Sequence, residues 1–368
     1  MRNFWKRTLS IWIIIPIAVF WFLCFSLFSC KNETTPLPPL SNDTFIRSCD
    51  ASFLPQVRAS GLHFINAQGI NEDMLLTMKN AGANTIRLRI WHSPVNDQSS
   101  LQEVKKLSDE IKNLGLKVWL TIHYSDTWAD PGSQIKPKSW QLANFRQLKD
   151  SVYNYTARVV QLLKPEYVQI GNEINNGLLF PDGSFSNKSQ MSGLLTSGIK
   201  AVKDQNQDTR IILHYAGHEN SVDFFAHLST LDYDIIGISY YPLWHGKNLN
   251  TLMQTLHELS NTYQKKVVIA ETSYPFTYQW NDHTQNVIGD STQILSQFSA
   301  SPEGQKNYLV HLKNLLLKTP GVIGFSYWGG EWVSFKGKTA LDGSSWENQA
   351  LWDFNQKSLP ALDVFKQE

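Results

Sequence analysis

Seven apolar, β-branched runs in this chain end the same way, with polar and aromatic side chains crowded into their last residues. These ends read Arg87-Leu88-Arg89-Ile90-Trp91, Thr121-Ile122-His123-Tyr124-Ser125-Asp126, Gly171-Asn172-Glu173, His214-Tyr215, Ser239-Tyr240-Tyr241, Glu271-Thr272 and Tyr327-Trp328. A solvated face with no task would not keep that phase over separate strands. A parallel sheet wrapped by helices does keep it, because all its strands run one way and deliver their C-terminal ends to one side. Strands are expected at 45–52, 85–91, 118–124, 167–173, 211–215, 235–241, 267–271 and 322–328. Amphipathic helical stretches separate them. Helices are expected over 72–81 and 101–114, each stopped by a glycine, Gly82 and Gly115, where the chain needs a positive φ. This pattern predicts an α/β fold of the (β/α)8 TIM-barrel class, and 368 residues suit one such barrel with insertions.

The first residues do not belong to that fold. Arg2, Lys6 and Arg7 precede an apolar stretch over 9–28, which ends in Leu27-Phe28-Ser29-Cys30. A small residue before a cysteine at the end of an apolar run resembles the lipobox of bacterial lipoproteins. The expected organisation is a signal peptide over 1–30, lipid on the thiol and new amine of Cys30, a Pro/Thr/Ser-rich tether over 31–42, and one catalytic domain over 43–368. The alternative is an uncleaved membrane anchor, since roughly 20 apolar residues suffice to span. Both readings place the domain outside the cytoplasm, held to a bacterial membrane. Lys31 and Asn32 carry no aspartate retention signal, which points to the outer membrane or cell surface in a Gram-negative source. With Cys24 in the signal and Cys30 given to lipid, only Cys49 remains, so neither a disulfide framework nor a cysteine zinc site is available. A net charge of +1 gives no reason to expect a nucleic-acid partner. A monomer is expected.

Glu173 ends the fourth run and Glu271 the seventh, so a barrel sets them across its central cavity. Two facing carboxyls are the minimum for glycoside hydrolysis, one protonated to serve the leaving oxygen and one ionised to attack. A single glutamate at such a place would more often pair with an arginine such as Arg87 or Arg89 and hold the fold. Two favour catalysis. Around them, Asn172 is placed to meet a sugar 2-hydroxyl, and Tyr240 and Arg89 to hold Glu271. His123 and His214 either contact the sugar, tune Glu173 or satisfy the core. The chain has 13 tryptophans, and flat rings with a polar edge suit the C–H faces of sugars. Trp91, Trp128, Trp244 and Trp328 are the candidate platforms, Trp328 foremost because it ends the eighth run. There is no nucleophile elbow, Walker loop or dinucleotide fingerprint. Asp282, His283, Asn286 and Asp290 form an oxygen-rich stretch that either binds calcium or is a solvated loop. No cofactor is required, and no metal ligand is assigned.

Longer stretches carry a resemblance. They are Ala81 to Trp91, His123 to Gly132, Val168-Gln-Ile-Gly-Asn-Glu-Ile-Asn-Asn-Gly-Leu-Leu179, Ser239 to Trp244, Glu271-Thr-Ser-Tyr-Pro275 and Ser345 to Leu351. Together they run through nearly the whole domain and resemble the endo-β-1,4-galactanases of glycoside hydrolase family 53. These belong to the clan of retaining barrels with catalytic glutamates on strands four and seven. The resemblance implies cleavage of internal β-1,4-galactosidic bonds in galactan and type I arabinogalactan, the side chains of pectin, by double displacement. It implies Glu173 as acid/base and Glu271 as nucleophile; the expected sugar-binding set is Asp50, Arg89, Trp91, His123, Asp126, Trp128, Asn172, His214, Tyr240 and Trp328. The polysaccharide is then the substrate partner. Departures from the family pattern fall at Ser48-Cys49-Asp50-Ala51-Ser52, at Tyr327-Trp328-Gly329-Gly330-Glu331, and at 280–290, which matches the family's calcium motif poorly. Rival readings are a mannanase or endoglucanase on the same barrel, or a lipoprotein that captures oligosaccharides without cutting them.

Overall fold

The computed structural model describes residues 45–367. The expected signal peptide, Cys30, the tether and the first residues of the expected domain lie outside the described residues. Among those described, no helix is long and apolar enough to cross a membrane.

Eight parallel strands close into a barrel: β1 (Ile46–Asp50), β2 (Thr85–Ile90), β3 (Lys117–Ile122), β4 (Tyr167–Ile170), β5 (Arg210–Ala216), β6 (Ile235–Ser239), β7 (Lys266–Thr272) and β8 (Val322–Tyr327). All eight expected runs are strands. Each strand pairs with its sequence neighbours, and β8 closes on β1 in the register Ile46↔Gly324 to Cys49↔Tyr327. The intervening helices begin and end where local chemistry dictates. Ser100 caps Leu101–Asn113 by accepting from the Glu103 N–H, and Asn144 and Gln147 form a reciprocal capping box on Phe145–Leu163. Gly82 ends Met74–Ala81 at φ +101°, and a Cβ there would lie 2.5 Å from the Phe365 carbonyl oxygen, so only glycine fits. Leu101–Asn113 buries Val104, Leu107, Ser108 and Ile111, one stripe at helical spacing, against the sheet.

The two-residue strand period sorts side chains between inside and outside. Ile46, Trp119, Ile212, Ile235, Val268, Ala270 and Ile323 fill the barrel interior. In β2, Ile86, Leu88 and Ile90 join the outer core under the helices, leaving Arg87 and Arg89 on the other face. One strand breaks the period. Between β6 and β7 the register runs Ile238↔Ile269 and then Ser239↔Glu271, so β7 carries an extra residue at Ala270. That bulge turns Glu271 into the cavity, where unbroken alternation after Val268 and Ala270 would have aimed it outward.

Candidate active site

The strand ends open into a cleft of about 440 Å³. Arg87, Arg89, His123, Asn172, Glu173 and Glu271 contribute polar groups to it, and Trp128, Trp244, Trp328, Trp332 and Trp346 most of its apolar wall. Glu173 sits at φ +47°, two residues past Gly171 at φ +78°. A left-handed backbone at a residue with a Cβ costs about 1–2 kcal/mol, strain of the kind that collects at functional sites.

Glu271 is held from two sides. Arg87 Nη2 donates to Oε1 at 2.7 Å, and Tyr241 Oη donates to Oε2 at 2.9 Å. Arg87 also pairs with Asp50 through Nη1 at 3.0 Å and donates to Asn172 Oδ1 at 3.0 Å. Glu173 has a different environment. Its Oε1 accepts from Ser239 Oγ at 2.6 Å. Because that hydroxyl gives its hydrogen to Glu173, it accepts from His214 Nε2 at 2.8 Å, which leaves His214 Nδ1 unprotonated facing Gln169 Nε2 at 2.9 Å. Burial and the positive charge of Arg87 hold His214 well below its ordinary pKa, and hence neutral.

The two carboxyls therefore differ. Burial, and then the charge of Glu271, push Glu173 up to about 8. Burial raises Glu271 as well, but Arg87 and the Tyr241 hydroxyl oppose it, so Glu271 ionises first. One oxygen from each carboxyl, with a ring nitrogen of His214, lies within 4.8 Å of the others. Acid clusters of this kind sometimes hold a metal, but this donor set does not fit one. His214 has both nitrogens engaged, and Glu271 is already neutralised by Arg87.

The expected sugar-binding residues divide into two groups. Arg89, His123, Trp128, Asn172 and Trp328 line the cleft, as does the platform candidate Trp244. Asn172 spends one amide hydrogen on the Ala129 carbonyl, and its other has no partner among the described residues. His123 Nδ1 accepts from the Ala129 N–H. Asp50, Trp91, Asp126, His214 and Tyr240 do not line the cleft. Asp50 is the counterion of Arg87. Asp126 accepts from the backbone of Ser93 and Lys138 and so ties two loops together. Trp91 lies beneath Trp128, edge-on at 5.6 Å.

Two expected contacts to Glu271 are corrected. Tyr240 points away and donates to the Gly246 carbonyl, while its neighbour Tyr241 reaches Glu271. The strand period accounts for this: Ile235 and Ser239 face inward, so Tyr241 does too and Tyr240 does not. Arg89 stands one pleat above Arg87 and stacks on Trp128 at 4.1 Å, Phe53 at 4.5 Å and Trp91 at 4.8 Å, with Nε on Ser99. We expect Tyr241→Phe to lower kcat about 10- to 100-fold, the loss of one hydrogen bond to a charged group, and Tyr240→Phe to leave it unchanged. Equal effects in steady-state assays would refute this division.

Sequence reading missed Arg87 as a site residue, along with Tyr241, His245, Trp332 and Trp346. Trp332 stacks on Phe53 at 4.2 Å and lies nearly parallel to Trp346, while Trp328 stands edge-on to both. The Gly329-Gly330 pair permits this packing. A Cβ on Gly330 would lie 2.8 Å from Cys49 Sγ, and one on Gly329 2.7 Å from the Trp346 ring. Cys49, the one free thiol among the described residues, is buried filler at that junction. Of the calcium candidates, His283 and Asp290 are exposed, and Asp282 spends both oxygens on Thr284, Ser334 and Ser344.

Comparison with known proteins agrees with the barrel fold. The family model described as "Glycosyl hydrolase family 53" matches residues 46–365. An arabinogalactan endo-β-1,4-galactanase of Cellvibrio japonicus is 36% identical over 88% of this chain and 91% of its own length. The GH53 catalytic domain of Ignisphaera aggregans superimposes with a TM-score of 0.83 at 36% identity, covering 90% of this chain and 98% of that one. A fungal β-1,4-galactanase structure gives 0.76 at 26% identity, covering 88% and 99%.

Proposed function

Because this chain belongs to glycosyl hydrolase family 53, we propose that it cleaves internal β-1,4-galactosidic bonds of galactan and type I arabinogalactan, with Glu173 as acid/base and Glu271 as nucleophile. The observation that carries the mechanism is the carboxyl spacing. One oxygen of each carboxyl lies within 4.8 Å of one oxygen of the other, a closeness that suits the retaining route, whose carboxyls stand about 5–5.5 Å apart. The inverting route needs about 6.5–9.5 Å to admit a water.

Glu271, ionised and aimed by Arg87 and Tyr241, attacks the anomeric carbon as Glu173 gives its proton to the glycosidic oxygen. The leaving chain departs with a new hydroxyl. Esterified Glu271 no longer bears charge, so one of the two main influences keeping the proton on Glu173 disappears. Glu173, now a stronger acid and ionised, takes a proton from water. That water attacks the anomeric carbon from the face the leaving group vacated, the ester bond to Glu271 breaks and returns its carboxylate, and configuration is retained. No cofactor enters. The test is reducing-end release from unbranched β-1,4-galactan by the domain from Asp43 onward, with galactomannan and cellulose as controls. Galactan cleavage is expected. Cleavage of a control alone would remove the substrate assignment, and binding without cleavage would make the chain a capture protein.

The same proposal places the enzyme outside the cytoplasm on a lipid anchor at Cys30, with 31–42 as tether. The support is the sequence alone: a basic start, an apolar run and a cysteine where that run stops. Full-length protein should partition into detergent and take up labelled fatty acid, whereas Cys30→Ala should take up none, its uncleaved apolar run still holding it in detergent. An aqueous parent would refute the anchor.

A further inference from the structure

One residue of the cleft wall had no role in the mechanism above. His245 ends the short helix Pro242–His245 and lines the cleft beside Ala216 and Tyr241. Its Nδ1 accepts from the Tyr241 N–H at 3.1 Å. An imidazole nitrogen that accepts carries no proton, so the ring's hydrogen sits on Nε2. Nε2 has no hydrogen-bond partner among the described residues.

The ring is fixed as well as polarised. His218 Nε2 donates to the His245 carbonyl at 3.0 Å, and the His245 N–H returns to the Tyr241 carbonyl at 2.9 Å. One face of the ring lies against Gly217, where a Cβ would come within 3.0 Å of Cδ2. Burial and the neighbouring His218 lower the imidazole to about 4, so it is a neutral donor from about pH 4 up to about pH 8, where Glu173 gives up its proton. His123 shows the same arrangement elsewhere in the cleft, with Nδ1 on a backbone N–H and the ring facing the cavity.

We propose that His245 is a substrate-binding residue that donates from Nε2 to a hydroxyl oxygen of the galactosyl chain. Its wall is formed by the ends of β5 and β6, and β5 pairs with β4, the strand that leads into Glu173. A donor with no acceptor of its own favours sugars with an oxygen at that point. A deoxygenated or reoriented position leaves a desolvated N–H unpaired, which is the stronger form of discrimination. This inference rests on the galactanase reading.

The competing explanation is that His245 only clamps the turn holding Tyr241. Two substitutions in the full-length chain separate these roles. Asn places an oxygen where Nδ1 was, keeping the bond to the Tyr241 N–H but losing the cleft donor. Gln places its terminal amide where Nε2 was, keeping a donor but losing the clamp. We expect His245→Asn to melt like the parent and lose about 10- to 100-fold in kcat/KM on galactan. We expect His245→Gln to keep most of that activity. Parental activity in the Asn variant would overturn the proposal. So would equal losses in both variants with a matching fall in melting temperature. A parent inert on galactan would overturn the substrate reading itself, and so is distinguishable from either.

Discussion

Glu271→Ala is expected to lose several orders of magnitude in kcat on galactan and Glu173→Ala about 10²–10⁴-fold, and the two losses should differ in kind. With a substrate whose leaving group needs no protonation, the Glu173 variant should form the glycosyl-enzyme rapidly and stall there. Added azide should then release a β-galactosyl azide. The Glu271 variant should accept azide directly at the open face and give the α product. These outcomes follow from placement: Glu271 lies within hydrogen-bond reach of Arg87 and Tyr241, whereas the Glu173 carboxyl has, among the described residues, the Ser239 hydroxyl alone. Products of the same configuration from both variants would exclude the assigned roles. In the parent, activity requires Glu173 protonated. Its alkaline limb should therefore be full below about pH 8 and lost as pH rises through that value. Glu173→Gln should remove that limb. The acid limb reports Glu271, and activity should fall as Glu271 takes up its proton.

Arg87→Met should rank with the nucleophile among single changes, for both folding and activity. Arg87 is 2% exposed and compensates two buried carboxylates, Asp50 at 3.0 Å and Glu271 at 2.7 Å. Removing one member of a buried ion network leaves charge unpaired in a poor solvent, at a cost of about 3–5 kcal/mol. Denaturant unfolding reads that loss. Activity should fall with it, because Arg87 also holds Asn172 and is the main influence keeping Glu271 from being raised further. Without it the acid limb should move to higher pH and the profile should narrow. Arg87→Lys keeps the charge but cannot serve Asp50, Asn172 and Glu271 together, so it should recover stability better than rate. An Arg87→Met variant with parental unfolding and an unshifted acid limb would mean that the network does not control Glu271.

Local chemistry was enough to set the frame of this protein. Apolar runs of strand length, glycines at helix ends and polar residues in one phase are short-range properties, and they located all eight strands, the active face, and Glu173 and Glu271 upon it. The period of two, applied strictly, also separates Tyr241 from Tyr240, and the sequence contains that signal. Other features depended on closure of the barrel. Arg87 and Arg89 have the same parity, and only the height of Glu271 above the interior layer gives the bond to Arg87 and leaves Arg89 to stack on Trp128. Glu271 itself faces the cavity because of an extra residue at Ala270, a register shift that depends on pairing with β6 and leaves no mark in the alternation of β7. Trp332 and Trp346 come from a loop with no periodicity, and His245 is fixed by a turn and by Gly217, distant in sequence. Periodicity reports which face of an element is buried. The contacts that assign chemistry at this site are made between elements, and only their packing decides them.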